Sequence, residues 1–97
     1  MSTNFDTRLN GERLTVASVK ELKRAAGADA VTNTELTVPL GLSRQTISDR
    51  FASGDMKLSE FVAAALYLKR KPSELMALAE ESSVKSSASA LADGGAR

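Results

Sequence analysis

The stretch Thr32-Asn-Thr-Glu-Leu-Thr-Val-Pro-Leu-Gly-Leu-Ser-Arg-Gln-Thr-Ile-Ser-Asp-Arg-Phe51 contains two helix starts and one helix stop. Thr32 followed by Glu35 has the spacing of an N-cap with its reciprocal carboxylate, so a short helix is predicted from Asn33 to about Leu40. Gly41 ends it, because glycine takes the positive φ of a tight turn without a Cβ penalty. Ser43 is a second N-cap, for a helix from Arg44 to Phe51 in which Ile47 and Phe51 share one face. Only Gly41-Leu42-Ser43 separates the two helices. A turn of roughly 90–120° there would let Leu36, Leu40, Leu42 and Ile47 form a small shared core that holds the pair rigid.

Outward from this pair the apolar period stays near 3.6 residues, and alternation of period two is absent. A first helix is predicted from about Leu14 to Ala26, with Val19, Leu22 and Ala26 facing inward. Ser18 and Glu21 offer a capping box for a shorter start, and Gly27 supplies the stop. Ala52-Ser53-Gly54-Asp55 reads as a turn. A fourth helix, Leu58 to Leu68, carries the clearest stripe: Leu58, Phe61, Val62, Ala65 and Leu66. Pro72 suits the first position of a fifth helix that buries Leu75, Met76 and Ala79 and fades near Ser82. The fold class expected is all-α: a compact domain of five short helices.

The chain of 97 residues is long enough for one such domain and not for two. Residues 1–11 are polar and aperiodic and read as a flexible N-terminal arm. Residues 12–81 hold nearly all the large apolar side chains. Residues 82–97 are rich in Ser, Ala and Gly, have little to bury, and read as a disordered tail. Apolar residues make up 42%, charged residues 26% and aromatics 4%, a globular composition whose aliphatic and alanine core favours helices.

Cysteine and histidine are both missing. That excludes disulfide frameworks, cysteine zinc sites, thiol nucleophiles and every mechanism that needs an imidazole. The chain is not expected to be an enzyme, and no cofactor or metal is expected. Ser82-Ser83-Val84-Lys85 formally fits a serine–lysine acyl-transfer motif, but it lies in the small-residue tail with nothing to build a pocket. No stretch approaches the ~18 apolar residues of a membrane span. The polar start, Met1 to Asn10, holds no secretory h-region. The expected localisation is cytoplasmic, with no membrane partner.

Net charge is +1, but it is unevenly spread. Arg8 to Lys71 carries eleven Lys/Arg against seven Asp/Glu, whereas Pro72 to Arg97 carries two against four. The basic block hints at a polyanion partner, although solvated helical faces reach the same balance. The sharper signal is the outer face of the third helix, which reads Arg44, Gln45, Ser48, Asp49. These are short or forked hydrogen-bonding groups. Arg pairs with guanine, Gln with adenine, and Ser and Asp supplement base or phosphate contacts. Such a face on a rigid mount is what reading a DNA major groove requires.

With these residues in view, the run Thr32 to Phe51 resembles the helix-turn-helix of the Cro/repressor (XRE-like) family. Leu-Gly-Leu-Ser-Arg-Gln-Thr-Ile-Ser, residues 40–48, is its specific part, and Leu58 to Met76 resembles that family's fourth and fifth helices. The resemblance implies a lambda-repressor-like domain. It assigns base contacts to Arg44, Gln45, Ser48 and Asp49, and contacts to the DNA backbone to Asn33, Ser43 and Thr46. Arg50 and Lys57 are added as candidate backbone contacts from their charge and position. Asp49 keeps two readings: it accepts from a cytosine amino group, or it orients Arg44 or Arg50 within the protein. Lys69-Arg70-Lys71 is either a solvated run or a phosphate clamp.

The chain departs from the family pattern at four places. Thr37 stands where alanine is usual, so its hydroxyl needs a partner or must face outward. Pro39 lies inside the second helix and implies a kink or a late start. Arg50 stands where an apolar residue is common, and Lys69 replaces the usual glycine after the fourth helix.

The function implied is sequence-specific double-stranded DNA binding by a transcriptional repressor of phage immunity or Cro type, acting by operator occupancy. If phage-encoded, it would work in a bacterial host cytoplasm, as a monomer or weak homodimer without a separate dimerisation domain. The alternative is a helical protein-interaction module or an antitoxin-type regulator. An apolar third-helix face would favour that alternative.

Overall fold

Five helices arise from caps and stops that the chain supplies locally. The structure, a computed structural model, describes residues 3–82, with side-chain burial from residue 7. The helices are α1 (Thr3–Ala28), α2 (Asn33–Leu40), α3 (Arg44–Ser53), α4 (Leu58–Tyr67) and α5 (72–82). No strand occurs among the described residues. The tail expected over 82–97 lies outside them apart from Ser82, as does the serine–lysine motif apart from that same residue.

The central pair forms where its caps predict. Thr32 Oγ1 accepts from the Glu35 amide at 3.1 Å, and Ser43 Oγ accepts from the Thr46 amide at 3.1 Å. Each supplies an acceptor for one of the orphan amides of a helix start. Gly41 closes α2 at φ 66°, its N–H donating to Thr37 O at 2.9 Å. α2 begins at Asn33 despite Pro39, so the late start is not observed. Thr37 Oγ1 donates to Thr34 O at 2.6 Å, so its hydroxyl finds its partner one turn back in the same helix.

The core gathers around this pair. Leu22 of α1, Leu36 of α2 and Ile47 of α3 are fully enclosed, joined by Val19, Ala25, Ala26, Phe61, Ala64, Ala65, Leu68 and Leu75. Leu40, Leu42 and Phe51 pack against the cluster half-buried. α2 packs on α3 and α4, and α1 packs on the same two helices. Truncating Leu36 or Ile47 to Ala would cost about 2–5 kcal/mol, since each is wholly buried.

Three expectations are corrected here. First, α1 is already helical at Thr3, so the residues read as an arm, from Thr3 to Gly11, lie in the helix. Its stretch 7–13 has no apolar period to bury and is exposed apart from Leu9. It is supported instead by local pairs such as Arg8–Glu12, 3.6 Å, and Thr15 Oγ1 donating to Gly11 O at 2.8 Å. Ser18 does not cap: it sits mid-helix and donates to Leu14 O at 2.8 Å.

Second, the stop of α1 is Ala30, not Gly27. Ala30 takes φ 56°, its N–H donates to Gly27 O at 3.1 Å, and Val31 N–H donates to Ala26 O at 2.8 Å. These are the two hydrogen bonds of a Schellman cap, and they outweigh the Cβ penalty of the left-handed residue.

Third, the buried stripe of α4 is Phe61, Ala64, Ala65 and Leu68, whereas Leu58 and Leu66 are 64% and 61% exposed. The helix is turned so that Glu60 faces inward, for a reason found in α3.

Gly54 serves two needs at the end of α3. It sits at φ 75°, and a Cβ built there would lie 2.9 Å from Val16 Cγ2 and 3.2 Å from Val16 Cα. The turn after α3 is therefore pressed against α1, which helps fix the seating of α3.

Candidate nucleic-acid interface

Ser43 and Thr46 anchor the start of α3. Ser43 Oγ takes the Thr46 amide proton and donates its own to Thr46 Oγ1 at 2.9 Å. Both hydroxyls expected at the DNA backbone are thus engaged in the cap, and both keep acceptor lone pairs. From this start the residues alternate by helical geometry. Ile47 is 0% exposed in the core, while Arg44, Gln45, Ser48 and Asp49 are exposed together on the opposite face. The structure brings these four sequence-predicted residues onto one surface. Gln45 Nε2 donates to Asp49 Oδ1 at 3.0 Å across one turn. Asp49's recorded partner is therefore Gln45, rather than Arg44 or Arg50.

Arg50 has a partner within the domain, Glu60 of α4. Its Nε donates to Glu60 Oε1 at 2.9 Å and its Nη2 to Glu60 Oε2 at 3.4 Å. The guanidinium is 30% exposed and the carboxylate 7%. Glu60 Oε1 also accepts from the Lys57 amide at 3.2 Å, so one carboxylate ties α3 to α4 and starts α4. The hydrogen bond from Arg50 holds the Glu60 carboxyl below the usual glutamate range, against the opposing effect of its burial. Within the domain the Arg50 charge is met by Glu60, while 30% of its side chain stays exposed.

Lys57, at the N-cap of α4, is exposed, and Asn33, the first residue of α2, is half-buried. The Lys69-Arg70-Lys71 run is divided. Arg70 Nη2 donates to Asp29 Oδ1 at 3.2 Å, fastening the α4–α5 connection to the end of α1, while Lys69 and Lys71 are exposed. Lys69 takes φ 60°, with Lys69 N–H donating to Leu66 O at 3.0 Å and Arg70 N–H to Ala65 O at 2.9 Å. This is a second Schellman cap built on a residue with a side chain.

Sequence reasoning missed two cross-links that position the interface: Arg50–Glu60, and Tyr67 of α4 donating its phenol proton to Glu35 of α2. The second has no local signal. The first had a partial one, since Glu60 stands three residues after the N-cap of α4. All buried side-chain polar atoms among the described residues have partners, and no cluster of acidic residues suited to a metal occurs among them. No helix there is long and apolar enough to cross a membrane. Comparisons with protein-family models, curated proteins and solved structures found no match to the chain.

Proposed function

We propose that the chain is a sequence-specific double-stranded DNA-binding protein of the Cro/repressor helix-turn-helix type, acting as a transcriptional repressor by occupying an operator. The observation that carries this reading is the two-sidedness of α3. Ile47 is sealed in the core while Arg44, Gln45, Ser48 and Asp49 form an exposed polar face, mounted through a three-residue turn on α2. Base edges in a major groove are read by such groups, held rigidly at one end of a short helix. Affinity would come mainly from phosphate neutralisation by Arg44, Lys57, Lys69 and Lys71, and specificity from α3.

The test is binding of the intact chain to its selected duplex over a salt series. Roughly 3–4 phosphates neutralised per chain give a log–log slope of about −3 to −4. A slope near zero refutes the reading.

A second reading, the helical protein-interaction module or antitoxin-type regulator, draws on a different surface. Leu58 and Leu66 of α4 and Val38 of α2 are large, apolar and more than half exposed. A protein partner would be expected there rather than on α3, and its binding would be insensitive to Arg44 and Gln45.

A further inference from the structure

Asp49 is an odd residue on a face meant for DNA, because its carboxylate is repelled by phosphates. Its neighbour Arg50 attracts it only through space, the guanidinium's hydrogen bonds going to Glu60. What Asp49 does have is the Gln45 amide, donating from Nε2 to Oδ1 at 3.0 Å. A carboxylate only accepts hydrogen bonds, so it distinguishes the two ends of a carboxamide. The flipped amide would set Oε1 against Oδ1, acceptor against acceptor. The contact therefore selects one orientation, in which Gln45 turns its oxygen away from Asp49 and keeps one N–H uncommitted.

We infer that Asp49 is a positioning residue rather than a base-reading one: by holding the Gln45 amide in a single orientation, it makes Gln45 a reader of adenine. The inference rests on the DNA-binding reading above and specifies what that site recognises. Outward Oε1 accepts from the adenine amino group and the remaining N–H donates to adenine N7. Guanine presents two acceptors on the same edge and meets Oε1 with a repulsion. Thymine offers an acceptor and a methyl group, and cytosine a lone amino donor. The same carboxylate weakens binding to every duplex equally, because its charge acts on phosphates whatever the sequence.

Selection from a random duplex library tests this with the intact chain and four variants: Gln45→Ala, Asp49→Ala, Asp49→Asn, and the Gln45→Ala/Asp49→Ala pair. The base pair whose preference disappears in Gln45→Ala is expected to be adenine-containing. Asp49→Ala should lower the adenine preference at that same pair about two-fold, the scale of an exposed Gln–Asp pair one turn apart. Adding it to Gln45→Ala should change nothing further. Asp49→Asn loses the charge and also the acceptor-only character, since its amide pairs with either end of Gln45. It should therefore lower the adenine preference as Asp49→Ala does while binding all duplexes more tightly.

The inference is overturned if Asp49→Ala alters a different base pair, acts equally without Gln45, or leaves the adenine preference unmoved. If the intact chain enriches no sequence at all, the DNA-binding reading itself fails, an outcome distinct from these three.

Discussion

Arg50 and Glu60, ten residues apart and on different helices, share two hydrogen bonds, the shorter 2.9 Å, with the carboxylate almost wholly buried. This pair joins α3 to α4 on the side of α4 that also buries Phe61, Ala64, Ala65 and Leu68. It explains why Leu58 and Leu66 face outward: the helix cannot bury them and Glu60 at once. A buried carboxylate is tolerated because Arg50 and the Lys57 amide meet it.

Glu60→Gln should destabilise the domain by about 1 kcal/mol, the scale of a charged hydrogen bond whose partner is partly solvated. The loss should depend on pH. The folded carboxyl titrates below the ordinary value of 4.5, so its stabilisation is complete above that value and is lost as pH falls through the lower folded value. Denaturant midpoints of parent and variant, compared from pH 7 downward, should converge in acid. Parallel curves would show that the pair contributes nothing through its charge.

Lys69→Gly should stabilise the domain by about 1 kcal/mol, because glycine takes φ 60° without the Cβ penalty. For a domain of this size the melting temperature would rise by roughly 4–8 °C. Ala30→Gly, at φ 56°, should behave alike without changing charge. A fall in melting temperature for both would contradict the two Schellman caps.

Tyr67 is the only tyrosine, so phenolate absorbance reports it alone. Its hydrogen bond to Glu35, followed by burial and the carboxylate's charge, raises its pKa above the ordinary 10.0. The midpoint of an alkaline absorbance titration should lie above that value and drop toward it in Glu35→Ala. An unchanged midpoint in the variant would mean that the α2–α4 cross-link does not persist in solution.

Much of the centre of this fold was legible because its signals are local. Thr32, Gly41 and Ser43 act within three or four residues of themselves, and Leu36 and Ile47 lie on the two helices that Gly41-Leu42-Ser43 joins. The misread parts depend on distant partners or on solvent. The first turns of α1 carry no apolar period, so the sequence offers no tertiary signal for a helix there, and residues 7–13 are exposed apart from Leu9. The face of α4 was misassigned because two overlapping apolar stripes have helical spacing, and the buried one, Phe61, Ala64, Ala65 and Leu68, has smaller side chains than the one holding Leu58 and Leu66. Ala30 and Lys69 end helices by backbone hydrogen bonding, which residue preference alone places at glycine. On α3 the exposed set was readable from spacing, but the engagement of Arg50 and the pairing of Gln45 with Asp49 were not.

The most direct test of the central claim is the ratio of specific to non-specific duplex affinity, measured for Arg44→Ala and Gln45→Ala against the parent chain. Both side chains are exposed, so neither truncation opens a cavity, and circular dichroism should be unchanged. Lys57→Ala provides the contrast: it should weaken both affinities together and reduce the salt slope by about one. If α3 reads the major groove, the ratio falls about five-fold or more in each α3 variant, the low end for one lost base contact, and holds in Lys57→Ala. A ratio that stays at the parental value in both α3 variants would contradict the account and leave the protein-interaction reading in its place.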